Sequence, residues 1–136
     1  MSKFHLEIVT PDRHFFEGKV DMVIVRGMEG DLAILKDHSP IATPLKIGRV
    51  RIFQDDVERI AAVVNGYITA RDNKVTIVTE AAEWPDEIDL QRAEESKIRA
   101  EALLQKQEDN INHTRARAAL QRAINRIEVS SLNKND

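Results

Sequence analysis

The chain changes its chemical grammar near residue 85. All five glycines (Gly18, Gly27, Gly30, Gly48, Gly66), all four prolines (Pro11, Pro40, Pro44, Pro85) and all six aromatic residues, the last of them Trp84, lie at or before that point. The 51 residues from Asp86 to Asp136 contain none of the three kinds. Val, Ile and Thr number 24 in the first 85 residues and 7 in the last 51. Glycine and proline punctuate turns, and β-branched residues favour strands. A stretch that lacks the first two and is poor in the third favours helix. The sequence therefore specifies two regions, a strand-forming 1–85 and a helical 86–136. Charge does not divide at the same place. The formal net charge of −3 is spread over both regions.

Residues 1–85 read as short strands joined by tight turns. Phe4, Leu6 and Ile8 alternate with His5 and Glu7, and Thr10-Pro11-Asp12 turns the chain. One or two strands are expected from Phe15 to Val25, a turn at Gly27–Asp31, and a strand from Leu32 to Leu35. Pro40 and Pro44 bracket a loop. Strands follow at Arg49–Phe53, Val57–Val64, Tyr67–Arg71 and Val75–Val78, with turns at Asp55-Asp56, Asn65-Gly66 and Asp72-Asn73. Asn65-Gly66 is a tight-hairpin signal, because both residues tolerate positive φ. Turn signals every 8–12 residues predict an antiparallel β-sandwich or flattened barrel.

Residues 86–136 read as two helices. Asp86 or Asp89 can cap the first, and Leu90, Ala93, Lys97, Ala100 and Leu104 run down one face of it, flanked by Ile98 and Leu103. Glu108-Asp109-Asn110 interrupts the period. Asn112 or Thr114 can cap the second helix, whose stripe is Ala116, Leu120, Ala123, Ile124 and Ile127. An antiparallel hairpin joined near residue 109 follows, with a polar, frayed tail from Ser130. Its stripes are narrow and rich in alanine, so their contact contributes little and the hairpin can open at small cost. A hairpin docked permanently on the strand region is the plainer alternative.

Arginines add a second possibility. Folding about residue 109 sets Arg92 opposite Arg126, with Arg99 further along the first helix and Arg122 beside Arg126 on the second. Four guanidiniums then converge, and a polyphosphate would turn their repulsion into cohesion. Equally, Glu87, Glu94, Glu95 and Glu128 can pair with them on a solvated face. Spacing alone leaves both readings open.

Several function classes are excluded. There is no cysteine, hence no disulfide, thiolate site or Cys nucleophile. No apolar run is long enough to span a membrane, Met1-Ser2-Lys3-Phe4 carries no apolar signal core, and a pI near 5.8 gives no basic field for nucleic acid. No Gly-rich phosphate loop occurs. His5, His14, His38 and His113 are scattered and show no metal-ligand spacing, so no metal site is expected. His38-Ser39 lacks an acid behind it and makes no catalytic dyad, and no catalytic residues are expected.

Five stretches, Ile8–Asp12, Glu29–Leu35 with His38, Pro44–Gly48, Ile88–Ala93 and Ala119–Arg126, stand in a fixed order along the chain. Taken together they resemble the epsilon subunits of bacterial F-type ATP synthases over essentially the whole chain. The resemblance implies a β-sandwich of about ten strands (1–85) followed by a regulatory helical hairpin (86–136). It implies a non-catalytic place on the rotor's central stalk, at the cytoplasmic face of the bacterial plasma membrane. The gamma subunit and the ring of c subunits would be partners there, in part through Glu29, Asp31 and His38. The hairpin would extend towards the catalytic alpha and beta subunits and block ATP hydrolysis. Its closed form would bind ATP, which Mg²⁺ can accompany, as a regulatory ligand that is not hydrolysed. The family's nucleotide pattern is met by Ile88, Asp89, Arg92 and Ala93, joined by Glu83, Arg99, Arg122 and Arg126. The carboxylates and the Ile88–Ala93 turn would hold adenine and ribose, and the arginines the phosphates. The family's stalk loop usually reads Gly-Glu-Leu-Gly-Ile-x-Pro-Gly-His. Here Asp31 keeps the charge on a shorter side chain, and Lys36-Asp37 replaces Pro-Gly. A free-standing nucleotide-responsive interaction module is the alternative to a motor subunit.

Overall fold

The computed structural model describes residues 3–106 and 110–132. Eight strands come first: β1 (Phe4–Thr10), β2 (Arg13–Val20), β3 (Met22–Gly27), β4 (Gly30–Leu35), β5 (Ile41–Leu45), β6 (Gly48–Gln54), β7 (Val57–Arg71) and β8 (Lys74–Glu83). A single 3₁₀ turn (Pro85–Glu87) leads to α1 (Leu90–Lys106) and α2 (Asn110–Ser131). The chain forms two compact units, divided between Glu83 and Trp84.

Eight strands replace the ten or so that were expected, and the main reason lies in β7. Asn65-Gly66 is no hairpin turn. The chain runs straight through it, and β7 and β8 keep one antiparallel register from Ala62↔Glu83 to Arg71↔Lys74. On its other side β7 pairs first with β6 (Val63↔Gly48) and then with β5 (Gly66↔Leu45). The positive φ values of Asn65 (41°) and Gly66 (139°) bend the strand instead of reversing it. β7 thereby passes from one layer of the sandwich into the other. The true reversals are Asp55-Asp56 and Asp72-Asn73, all four with φ between 51° and 67°. Asn and Asp tolerate that conformation because their short polar side chains can bond locally to the backbone.

The bend has two chemical supports. A Cβ on Gly66 would lie 1.9 Å from the carbonyl oxygen of Val78, so only glycine fits. Thr79 is buried beside it, and its hydroxyl donates to the Val64 carbonyl at 2.7 Å, with the Ala81 carbonyl 3.2 Å away. Val64 lies next to the break between β6 and β5, where the ladder cannot serve it, and a buried carbonyl left unpaired is costly.

Either side of the bend, alternation fills the core from both layers. Leu6, Ile8, Ile68, Val75 and Ile77 come from one, and Val23, Val25, Ile34, Val50, Ile52 and Ala61 from the other, all essentially inaccessible to solvent. β1 pairs with β8 in parallel, the exception to the antiparallel pattern. No hairpin links these two strands, so chain connectivity imposes no direction on them. The stretch expected as a loop between Pro40 and Pro44 holds β5, a short strand. Its second edge meets β3 only at Leu45↔Gly27, and proline is tolerated on such an edge.

The β1–β2 hairpin carries a bulge. Ile8 faces Phe16, but Val9 faces His14, so Phe15 is the extra residue. Consecutive Phe15 and Phe16 are thereby both buried. At the other end of this region Lys3 bridges Asp21 (3.2 Å) and Asp55 (2.6 Å), and the Asp55 amide donates to Asp21 at 2.9 Å. That amide bond, with the ammonium, holds the Asp21 carboxyl below its ordinary range.

Two substitutions test the bend. Gly66→Ala is expected to lower stability by about 2–4 kcal/mol, through backbone strain and the clash with Val78. Thr79→Val, close to isosteric, should cost about 1–3 kcal/mol by stranding the Val64 carbonyl. Urea denaturation of the full chain reads both, and wild-type midpoints would contradict the assignment. The division after Glu83 predicts that a chain ending at Pro85 keeps a dispersed amide NMR spectrum; a collapsed one would contradict it.

Candidate functional site

The hairpin unit begins with a local lock. The Glu87 amide donates to the Trp84 carbonyl (3.0 Å), and the Glu87 carboxylate accepts from the Trp84 amide (2.9 Å). Ile88 is then buried. Asp89 is the N-cap of α1: its Oδ1 accepts from the Arg92 amide at 3.1 Å, and its carbonyl accepts from the Ala93 amide at 3.0 Å. Of the two caps the sequence offered, Asp89 is the one used. Ala93 is fully buried. In the stretch Ile88–Ala93, three of the four pattern residues thus have structural work in starting and seating the helix. The Arg92 side chain is exposed and has no such task.

α1 and α2 pack antiparallel through small residues. Ala93 and Ala100 on α1, Ala116 and Ala123 on α2, are all buried, and within each pair the spacing is seven residues. A buried methyl contributes about 0.8 kcal/mol, so this seam is weak for its length. The half-buried Leu104, Leu120, Ile124 and Ile127 flank it, while Ile98 and Leu103 are exposed. At the closed end His113 Nε2 lies 3.1 Å from the Leu104 carbonyl, one of the orphan acceptors that end α1. Arg117 lies 3.3 Å from His113 Nδ1, so the pair suits a neutral ring donating from Nε2. This contact needs His113 inside the first turns of α2. The helix accordingly starts at Asn110, and neither Asn112 nor Thr114 is its cap. The junction expected near residue 109 falls outside the described residues. The frayed tail does not begin at Ser130: α2 continues to Ser131, and both serine hydroxyls donate to carbonyls one turn back.

Setting 104 opposite 113 puts the pairing within one residue of the register that folding about residue 109 requires. Arg92 and Arg126 are therefore at the same level of the hairpin. Arg92 and Arg99 each precede a seam alanine by one residue, and so do Arg115 and Arg122. In an antiparallel pair of right-handed helices that position projects to the same side from both partners. Arg126, one turn beyond Arg122, leans over that side towards α1. The hairpin thus carries Arg92, Arg99, Arg115, Arg122 and Arg126 on one side, and Leu104, Leu120, Ile124 and Ile127 on the other, together with Arg117, which follows a seam alanine instead of preceding one. Arg99 donates to Ser96 Oγ at 3.0 Å. Among the described residues, the guanidiniums of Arg92 and Arg122 make no ion pair and no hydrogen bond. For these two the solvated-face pairing with Glu94, Glu95 or Glu128 is not formed. Glu83 ends β8 opposite Ala62 and belongs to the strand unit.

Glu29, Asp31 and His38 do not form one cluster. Glu29 and Asp31 are exposed at the β3–β4 turn, where Asp31 lies 3.7 Å from Arg26 Nε. His38 lies past the opposite end of β4, its Nδ1 2.7 Å from the Ser39 carbonyl. The Lys36-Asp37 turn closes without glycine. Asp37 takes the left-handed conformation itself (φ 64°), its amide donates to Asn73 Oδ1 (2.6 Å), and Asn73 Nδ2 donates back to Asp37 Oδ1 (3.0 Å).

Comparison with known proteins follows the same division. The model of the ATP synthase delta/epsilon chain β-sandwich domain matches residues 3–85, and that of the delta/epsilon long α-helix domain matches residues 86–131. The ATP synthase epsilon chain of Caldicellulosiruptor bescii is 41% identical over 136 residues, covering 100% of this chain and 99% of the relative. That of Alkaliphilus metalliredigens is 48% identical over 129 residues, 95% and 96% of the two chains. Among solved structures, a chain of the Euglena gracilis mitochondrial ATP synthase OSCP/F1/c-ring assembly superposes with a TM-score of 0.83 at 20% identity, over 94% of this chain and 81% of that one, which shows the shared fold.

The cap makes a prediction of its own. Asp89→Ala is expected to destabilise the helical unit by about 1 kcal/mol, whereas Asp89→Asn, which can still accept from the Arg92 amide, should retain most of it. Thermal unfolding followed at 222 nm distinguishes the two. Equal losses would show that the charge, not the cap bond, matters.

Proposed function

This chain belongs to the ATP synthase delta/epsilon family as one of its epsilon chains, and on that premise we propose that its hairpin is an ATP-sensitive regulator. Its place is a non-catalytic one on the rotor of a bacterial F-type ATP synthase. The strand unit binds the gamma subunit and the ring of c subunits at the cytoplasmic face of the membrane, with Glu29, Asp31 and His38 on its partner surfaces. Because the β3–β4 turn and His38 lie at opposite ends of β4, they serve separate contacts.

One observation supports the regulatory reading most strongly. Five arginines of the closed hairpin share a side, Arg92, Arg99, Arg115, Arg122 and Arg126, and those at two of the positions, 92 and 122, lack an anionic partner among the described residues. Like charges so arranged are self-repelling, and a triphosphate relieves that repulsion with bidentate hydrogen bonds. In this reading Arg92, Arg99, Arg122 and Arg126 hold the phosphates. Ile88 and Asp89 would hold adenine and ribose, where Asp89 keeps one carboxylate oxygen outside its cap bond. Ala93 acts through size, by letting the two helices approach. Mg²⁺ can accompany the phosphates.

The energetics suit a switch. A contact whose centre is mostly alanine is given up more readily than a leucine seam, and ATP at a hundredfold excess over its Kd adds about 2.7 kcal/mol to the closed state. That is decisive only between nearly balanced states. Opened, the hairpin frees Arg115, Arg117, Arg122 and Arg126 for acidic surfaces of the catalytic alpha and beta subunits, and hydrolysis is blocked. Nucleotide and catalytic subunits then compete for the same cations.

Calorimetric titration of the full chain with ATP, with and without Mg²⁺, tests the clamp. Arg92→Ala and Arg126→Ala are each expected to weaken binding about tenfold, the loss of one charge-assisted contact. Unchanged affinity in both removes the phosphate assignment. Purification of the tagged chain from its host separates a motor subunit, which travels with gamma and the catalytic subunits, from a free-standing nucleotide-responsive module, which does not.

A further inference from the structure

The outward face of the β1–β2 hairpin gathers two histidines and two glutamates that are far apart in spacing terms. Glu7 and Glu17 are direct partners in the antiparallel register. His14 Nδ1 lies 3.2 Å from Glu7 Oε2, and His5 Nε2 lies 3.1 Å from Glu17 Oε2. One ligand atom each from Glu7, His14 and Glu17 falls within 4.8 Å of the others. Chain order hides this grouping. In an unbroken register Val9 would face Phe15, and His14 would point to the core side of the hairpin. The bulge at Phe15 sets His14 opposite Val9 instead, which turns its imidazole onto the face of His5, Glu7 and Glu17.

Charge makes the arrangement expensive on its own. Two carboxylates directly opposite one another repel, and like charges at that position weaken a strand pair. Lys19, which faces His5, makes no ion pair among the described residues, so the carboxylates look onto imidazoles. A neutral imidazole offers a lone pair and no compensating charge. A divalent cation would satisfy both carboxylates and both rings at once.

We propose that His5, Glu7, His14 and Glu17 form a surface site for a borderline divalent metal ion of the Zn²⁺ class, bound through two imidazole nitrogens and two carboxylate oxygens. Nitrogen and carboxylate donors in that number suit a four-coordinate ion at about 2.0–2.2 Å from each ligand. Ligands of such an ion stand about 3.3–3.6 Å from one another. The two imidazole–carboxylate pairs are already near that separation, and rotation of His14 and Glu17, largely exposed at 68% and 54% of their side-chain surface, with His5 swinging in beside Glu17, would complete the set. The backbone register is already in place. The ion would tie β2, an edge strand, to β1. Nothing in this site depends on the helical hairpin or on nucleotide, so its test is independent of theirs.

The experiment is calorimetric titration of the tag-free full chain with ZnCl₂ at pH 7.5, in a buffer that does not chelate. One ion per chain is expected. His14→Gln and Glu17→Gln should each weaken it about tenfold or more, while His38→Gln and His113→Gln leave it unchanged. Imidazole ¹⁵N resonances of His5 and His14 in the unmutated chain should shift on addition of Zn²⁺, and those of His38 and His113 should not. That second readout needs no variant to fold. The proposal is overturned by the absence of saturable binding, by binding that survives both substitutions, or by shifts confined to His38 or His113. The last result would place the ion elsewhere, and the first would leave the four side chains as cross-strand ion pairs only.

Discussion

The sandwich depends on a single backbone position. At Gly66 the chain must take a φ of 139° with the Val78 carbonyl so close that a methyl group has no room. Because β7 bends there instead of turning back, one strand pairs with β6 before the bend and with β5 after it, and β8 follows it across the bend from Ala62 to Arg71. The two layers are joined through shared strands, and their inner faces can close over one core. Thr79 supplies the hydrogen bond that the interrupted ladder withholds from Val64. A steric constraint and one hydroxyl together make the corner on which the layer order rests.

The helical unit is built on the opposite economy. Its start is well specified, by the Trp84–Glu87 lock and the Asp89 cap, while the buried positions of the two helices are, among the described residues, alanines except for Val129 near the end of α2. Strong local definition with weak long-range contact gives helices that persist while their association stays adjustable. The charge pattern follows from the same seam. Arginines one residue before a buried alanine on both helices must share a side, and their mutual repulsion is an energetic opposition to closure that a polyanion can reverse.

Much of this was legible in the chain, at different levels. The change of composition at Trp84-Pro85 marked the division into strand and helix regions, because glycine, proline and β-branched residues act locally. Alternation marked Phe4, Leu6 and Ile8 as one face of a strand, and the helical stripes were legible as narrow and rich in alanine, though the sequence did not separate the four alanines of the seam from the Leu and Ile residues beside them. Asn65-Gly66 was legible as a site of positive φ but not as a bend. Its local conformation is the same in kind, and only the pairing of β7 with two successive partners decides between reversal and corner. Asn112 and Thr114 looked like caps for a similar reason. The contact from His113 to the Leu104 carbonyl at the end of α1, nine residues back and across the hairpin, fixes where α2 begins.

The histidines mark the limit most clearly. By itself the sequence determined which residues alternate, where the chain can turn, which side of each helix is apolar, and that arginines accompany the seam, since all of these are set by neighbours within a few positions. Tertiary structure decided the register. A one-residue bulge at Phe15 moved His14 from one face of a strand to the other and brought it to Glu7, Glu17 and His5. Strand geometry has a period of two, so an insertion of one residue reverses every side chain beyond it. No spacing rule written along the chain can register that, because the partner that defines the face lies on another strand.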